Sequence, residues 1–265
     1  MIYFVGAGPG DPELLTVKGR RLLEQADLVL YTGSLVPKEV LGCCREEAIK
    51  LDSAPLVLKE IIKLIADASR SGKLVVRLHT GDPSLYGAIG EQMEELDKLS
   101  LNYEIVPGVS SFLAAAAAVK REYTVPGASQ TVIITRLSGR TPVPEEQVLG
   151  KLATHGASMA IFLSASMARQ VQEELLGGYS PDTPVAVVEK VTWPGERLFY
   201  GRLDGLAELM EEAGITRTAL ILVGDYLAKT VAPFYMPGVC PWLQRRRIGL
   251  RFLPSPGAEL SLVKP

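Results

Sequence analysis

Met1-Ile2-Tyr3-Phe4-Val5-Gly6-Ala7-Gly8-Pro9-Gly10-Asp11-Pro12-Glu13-Leu14-Leu15-Thr16 sets how the rest of the chain is read. An apolar, β-rich run meets three glycines and two prolines, then gives way to helical spacing. That order predicts a strand, a tight loop and a helix start. Leu14, Leu15, Val17, Leu22 and Leu23 mark the predicted helix, which ends near Ala26-Asp27. Similar breaks recur at Thr80-Gly81-Asp82-Pro83 and at Pro107-Gly108-Val109-Ser110-Ser111. Three glycine-containing loops at strand ends predict one cleft built from several loop tips.

Outward from these loops, strands at 28–31, 73–78 and 103–106 alternate with helices at 58–68, 88–99 and 112–119. Leu58, Ile61, Ile62, Ile65 and Ala68 fall on one helical face, and Ser71-Gly72 stops that helix. Such alternation predicts a largely parallel α/β sheet. An irregular stretch at 120–130 suggests a boundary. Beyond it, strands at 131–135, 158–163, 184–189, 198–201 and 219–224 accompany helices at 145–154, 168–176 and 203–213. More hairpin-like connections there predict a mixed sheet. The expected organisation is an N-terminal α/β domain at 1–120, a C-terminal α/β domain at 121–228 and a Pro- and Arg-containing tail at 229–265. The Arg245-Arg246-Arg247 run in that tail reads as a solvated charge run.

Composition narrows the function classes. With 265 residues and 47% hydrophobic content, one large domain or two smaller ones can bury a core. A net charge of −2 gives no global electrostatic case for nucleic acid, and an acidic ligand would need a local basic patch. Cys43, Cys44 and Cys240 form neither a paired framework nor a metal spacing, so a reducing compartment and no metal site are expected. A strand directly after Met1, with no signal-type stretch and no long apolar run, makes the cytoplasm the expected location, with no membrane partner.

A glycine-rich loop after a first strand invites comparison with dinucleotide binding. The spacing Gly6-x-Gly8-x-Gly10 does not fit the G-x-G-x-x-G fingerprint. Pro9 removes an N–H, and Asp11 puts a carboxylate where a pyrophosphate would sit. Tyr31-Thr32-Gly33 supplies no acidic residue after the second strand. A nicotinamide-dependent oxidoreductase is therefore a rival of a different class, and a tight turn shaped only by glycines is the plain structural alternative.

The three loops together resemble the signatures of the tetrapyrrole (corrin/porphyrin) methylase family. Gly6 through Thr16 is similar to the opening signature, Arg77-Leu78-His79-Thr80-Gly81-Asp82-Pro83-Ser84-Leu85-Tyr86-Gly87 to the second, and Val106 through Ser111 to the third. Tyr31 through Pro37, Thr135 through Glu145 and Met159 through Ser164 resemble the branch that methylates C11 of precorrin-4 or cobalt-precorrin-4 in cobalamin synthesis. Thr80 stands where uroporphyrinogen III methylases usually carry the first glycine of Gly-Gly-Asp, which again points to the corrin branch. Another tetrapyrrole methylase and a non-catalytic tetrapyrrole-binding protein are the remaining alternatives.

The resemblance implies two α/β domains with a cleft between them, the class III methyltransferase type. It implies S-adenosylmethionine as donor, S-adenosylhomocysteine as product, a tetrapyrrole substrate and a homodimer. By motif position, Pro9, Gly81, Asp82, Leu85, Ser110, Ser111, Leu163 and Ala219 are the expected donor contacts. Glycines let a backbone approach a ligand closely, while Ser110 and Ser111 either cap the following helix or touch the ligand. Asp11 and Tyr31 are candidates for catalysis, Asp11 equally for capping the turn at Pro12-Glu13. Arg77, Arg136 and Arg140 are candidates for pairing the carboxylates of the macrocycle.

Overall fold

The structure, a computed structural model, describes residues 1–139 and 141–228. Arg140, Cys240, the arginine run and the whole 229–265 tail lie outside the described residues.

The first half lays down β1 (Ile2–Gly6), α1 (Val17–Gln25), β2 (Leu28–Tyr31), α2 (Lys38–Leu41), β3 (Ile49–Asp52), α3 (Leu58–Arg70), β4 (Val75–His79), α4 (Ile89–Lys98), β5 (Tyr103–Val106) and α5 (Ser111–Ala118). Its strands form a five-stranded sheet in the order β3-β2-β4-β1-β5, with every pair parallel. Side chains alternate between two buried faces, as a parallel sheet covered on both sides requires. Ile2, Phe4, Leu30 and Val75 pack under α3 and α4, while Val5, Val29, Val76 and Leu78 pack under α1. Parallel pairing brings the loops after β4, β1 and β5 side by side at one sheet edge.

The first helix begins later than the leucine pattern predicts. Pro12–Leu14 is a 3-10 turn, Leu15 is extended, and α1 starts at Val17. Two side chains impose the break. Asp11 accepts from Glu13 N–H at 2.8 Å, and Thr16 accepts from Gly19 N–H at 3.1 Å, so each caps its own segment.

The second half adds β6 (Val132–Arg136), α6 (Leu149–Ala153), β7 (Ser158–Phe162), α7 (Ala168–Leu175), β8 (Pro184–Glu189), β9 (Arg197–Arg202), α8 (Leu206–Glu212) and β10 (Ala219–Val223). The sheet order is β6-β7-β10-β8-β9; β6 and β7 are parallel and the other pairs antiparallel. It is mixed, as the hairpin-like spacing predicts. The helix expected over 145–154 is interrupted: Glu145–Gln147 is a separate turn, and Val148 is extended at ψ 146°. The turn buries no residue, whereas Leu149 at 1% exposure enters the core, so burial favours the break. The segment 203–213 likewise divides into a turn at Leu203–Gly205 and α8.

One helix crosses between the layers. Helix α5 follows β5 of the first sheet, yet Ala114, Ala115, Ala116 and Val119 pack with Ala160, Ala186, Val188 and Leu222 of the second. Alanine's small side chain lets the helix lie close to that sheet. Among the described residues no helix is long and apolar enough to cross a membrane.

The edge where the loops meet tolerates no extra atoms. A Cβ on Gly6 would fall 2.6 Å from both Gly108 Cα and the Gly81 carbonyl oxygen, and one on Gly108 would lie 2.8 Å from Gly6 Cα. Gly90, in α4, has open space where a Cβ would go. In denaturant melts Gly108→Ala should lose about 3 kcal/mol, the upper range for overpacking. Gly90→Ala should gain roughly 0.5–1 kcal/mol by helix propensity. Equal effects at the two positions would contradict this packing.

Candidate active site

The three loops are joined by backbone and by one carboxylate. Ala7 N–H donates to the His79 carbonyl at 2.7 Å. Gly8 N–H donates to the Gly81 carbonyl at 3.2 Å, and Gly81 N–H returns a bond to the Gly8 carbonyl at 2.8 Å. Both glycines have positive φ, +75° and +61°, where any Cβ is strained. Asp82 Oδ2 accepts from Gly108 N–H at 2.8 Å, tying the second loop to the third. Its Oδ1 accepts from the Ser84 N–H and hydroxyl. Burial opposes ionisation of Asp82, but these hydrogen bonds together outweigh it and hold the carboxyl below the usual carboxylate range.

Around this knot the sequence-predicted donor residues are distributed unevenly. Ser110 is 4% exposed and occupies the N-cap position of α5, but its hydroxyl makes no capping bond. It sits against Gly81, whose built Cβ would lie 3.6 Å from Ser110 Cα and 3.8 Å from the Ser111 nitrogen. Leu85 is half-buried and donates its N–H to the Asp82 carbonyl at 3.2 Å. From the second sheet, Leu163 follows β7 with φ +53° and 65% exposure. Its neighbour Phe162 meets Tyr86 of the second loop with ring centroids 5.3 Å apart. The structure thus brings Gly81, Asp82, Leu85, Ser110 and Ser111 together, and Leu163 follows directly on Phe162, which meets Tyr86 of the second loop. Ala219 opens β10 near the same sheet end, because the register pairs Ile221 with Ile161, but its side chain packs toward the α6–α8 core.

The first loop stands differently. Pro9 is buried, and its carbonyl accepts from Trp193 Nε1–H at 2.8 Å. Asp11 caps the Pro12–Leu14 turn through Oδ1 and donates its N–H to Thr192 Oγ1 at 3.0 Å. Tyr31 packs its ring against the core beneath α1. Arg136 ends β6 in register with Phe162; its guanidinium donates to the carbonyls of Thr141 at 2.8 Å and Pro142 at 3.2 Å. It also lies close to Tyr86, whose phenol burial pushes up and the Arg136 charge pulls down.

Arg77 lies behind the second loop. It is 4% exposed and donates to Gln92 Oε1 at 3.0 Å, Ser53 Oγ at 2.9 Å and the Leu30 carbonyl at 3.2 Å. All three partners are neutral. Burial lowers its pKa to about 10, which still leaves a cation at neutral pH. It borders a cavity of about 340 Å³ lined also by Thr32, Ser53, Gly87, Glu91 and Gln92. Thr32 Oγ1 is buried without a hydrogen-bond partner. A buried cation with neutral hydrogen-bond partners beside an unsatisfied hydroxyl suits a hydrogen-bonding anionic group at the Arg77 side of the cavity, with the Glu91 carboxylate also in the lining. Thr32, Ser53, Gln92, Thr192 and Trp193 were not among the residues singled out from sequence. Thr32 sits at a visible post-strand break; the others carry no local signal.

The profile described as Tetrapyrrole (Corrin/Porphyrin) Methylases matches residues 1–207. A cobalt-precorrin-4 C(11)-methyltransferase of Methanocaldococcus jannaschii is 52% identical over 227 residues, covering 85% of this chain and 88% of that protein. A precorrin-4 C(11)-methyltransferase of Mycobacterium tuberculosis is 49% identical over 228 residues, covering 85% and 91%. Among solved structures, a cobalt precorrin-4 methyltransferase superposes with TM-score 0.84 at 48% identity, covering 86% of this chain and 95% of that one. A uroporphyrin-III C-methyltransferase of Thermus thermophilus in complex with S-adenosylhomocysteine gives TM-score 0.70 at 31% identity, covering 85% and 98%. The chain belongs to the tetrapyrrole methylase family.

His79, whose carbonyl holds the first loop, gives a pH signature. Burial, then the Arg77 charge, lowers its imidazole from 6.5 to about 3. Below pH 6.5 the unfolded chain takes up a proton that the folded chain refuses. The contribution is therefore complete above pH 6.5 and is lost as pH falls toward 3. Denaturant melts from pH 7.5 to 4 should show wild type losing stability more steeply than His79→Leu, by up to about one proton's worth of slope. Parallel pH profiles would contradict it.

Proposed function

We propose that this protein is an S-adenosylmethionine-dependent methyltransferase that methylates C11 of precorrin-4 or cobalt-precorrin-4 in cobalamin synthesis. The observation that carries this reading is the meeting of the Gly81-Asp82 and Ser110 loops, with Tyr86 reaching Phe162 at the end of β7, in a chain about half identical to enzymes of that activity. The close glycine backbone, the Ser110 hydroxyl without a capping bond and the exposed apolar Leu163 fit a nucleoside-bearing, partly apolar donor. When bound there, the donor supplies a sulfonium-activated methyl group.

The chain's own residues then have mostly positioning work. Gly81, Leu85, Ser110, Ser111 and Leu163 hold the donor, with Pro9 and Ala219 at the margins. Asp82 acts by bracing the loops, since both its oxygens accept bonds from the chain. Arg77, with Thr32 and Ser53, holds a carboxylate-bearing ring of the tetrapyrrole, and Arg136 and Arg140 are further candidates for pairing its carboxylates. The candidates to orient the macrocycle or take up its proton are Asp11, whose Oδ1 accepts from Glu13 N–H, and Tyr31, whose ring packs on the core beneath α1. Orientation alone can contribute about 7–11 kcal/mol to such a transfer. We also propose a division between the two α/β domains at 120/121, a homodimer and a cytoplasmic location.

The test is methyl transfer from labelled S-adenosylmethionine to precorrin-4 and cobalt-precorrin-4. One methyl should be added, and carbon NMR should place it at C11. Arg77→Met should lower kcat/KM about ten- to hundredfold, the usual worth of a charge-assisted hydrogen bond. Two methyl additions to uroporphyrinogen III with none to precorrin-4 would overturn the assignment.

A further inference from the structure

The hairpin loop between β8 and β9 reaches from the second sheet to the first loop and grips it at three consecutive residues. Trp193 Nε1–H donates to the Pro9 carbonyl at 2.8 Å, and Thr192 Oγ1 accepts from Asp11 N–H at 3.0 Å. Between them, Gly10 lies under the indole: a Cβ there would fall 2.6 Å from Trp193 Nε1 and 2.9 Å from Thr192 Oγ1. The two polar groups it engages, one carbonyl and one N–H, belong to a loop with no strand or helix partner for them. The hairpin supplies both partners across 181 to 184 residues of chain.

The gripping side is held under strain. Thr192 has φ +63°, a region that β-branched residues avoid, and Lys190 before it has φ +49°. Glu196 Oε2 accepts from Thr192 N–H at 2.7 Å, and Trp193 N–H donates to the Lys190 carbonyl at 2.9 Å, so the loop is closed on itself in this conformation. Such strain persists where the surroundings over-determine it, and it clusters at sites where geometry matters.

We infer that Thr192 and Trp193 are positioning residues: their clasp fixes Pro9, Gly10 and Asp11 as a rigid wall for the tetrapyrrole. This rests on the methyltransferase reading above. The clasp acts on Pro9 to Asp11, beyond the backbone bonds that join Gly8 to Gly81, and the donor seat has a brace of its own from Asp82 to Gly108. Breaking it should therefore affect the tetrapyrrole far more than the donor. Trp193 takes one lone pair of the Pro9 carbonyl, which leaves the ring and the second lone pair to meet the donor. Thr192 occupies the Asp11 N–H, while the Asp11 carboxylate is held by the Glu13 N–H.

The experiment uses the full chain and three variants, Trp193→Phe, Thr192→Ala and Thr192→Ser. Trp193→Phe keeps the ring and loses the N–H; Thr192→Ser keeps the hydroxyl. Hydrogen exchange read on peptides covering residues 7–14 should be faster in Trp193→Phe and Thr192→Ala, and near wild type in Thr192→Ser. Kinetics with cobalt-precorrin-4 should show kcat/KM for the tetrapyrrole reduced at least about tenfold in the first two variants and restored to within about threefold in Thr192→Ser. The dissociation constant for S-adenosylhomocysteine should move less than about twofold in all three. Unchanged exchange at 7–14 overturns the clasp. Equal losses in donor affinity and tetrapyrrole turnover overturn its selectivity and reduce it to a general structural contact. If wild type methylates no tetrapyrrole, the functional reading fails while the exchange experiment still decides the clasp.

Discussion

Three backbones meet at one sheet edge with no room for a side chain between them, and the rest of the site depends on that contact. Gly6 ends β1, Gly81 follows β4 and Gly108 follows β5, and their main chains approach closely enough that a Cβ on Gly6 or Gly108 would enter its neighbour. Close approach is useful because it turns three flexible loop tips into one surface. The Asp82 carboxylate completes the joint by accepting from Gly108. A carboxylate bound by several N–H and O–H donors is stabilised as the anion, so the brace stays charged in the neutral range. The joint also explains why side-chain chemistry is sparse here: backbone geometry occupies the space that catalytic side chains would fill.

From that joint the two sheets are coupled at several points. Helix α5 leaves the third loop and packs on the second sheet, so the loop is anchored at both ends. Tyr86 of the second loop meets Phe162 at the end of β7. Trp193 and Thr192 close on the first loop. The first two loops thus touch the second half of the chain directly and the third is tied to it through α5, each by a different element. A ligand lying between the halves would touch a preorganised surface instead of having to order it, which lowers the entropic cost of binding.

Much of this was legible in sequence, for physical reasons. The loops announced themselves because Gly and Pro leave few alternatives after an apolar strand, and α3 because Ile61, Ile62 and Ile65 repeat at helical spacing. The parallel first sheet and mixed second sheet followed from the lengths of the connections. What stayed hidden was non-local or ambiguous in pattern. The run of alanines in α5 has no distinct apolar face, so nothing said which sheet it would cover. Arg77 in an apolar strand read as a ligand contact, and its further bonds to Gln92, Ser53 and Leu30 within the fold had no local signal. Trp193 lies 184 residues from Pro9, and no periodicity could connect them. Asp11 illustrates an even split: the capping bond to Glu13 was foreseeable from its place before Pro12, while the grip of Thr192 on its N–H was not.

The most direct measurement is a crystal structure of the full chain with S-adenosylhomocysteine. The account predicts the molecule between the Gly81-Asp82 loop, Ser110 and Leu163, with the first loop, held by Trp193, forming the wall opposite the tetrapyrrole. S-adenosylhomocysteine seated on the Gly6–Asp11 loop alone, or away from Leu163 altogether, would contradict it.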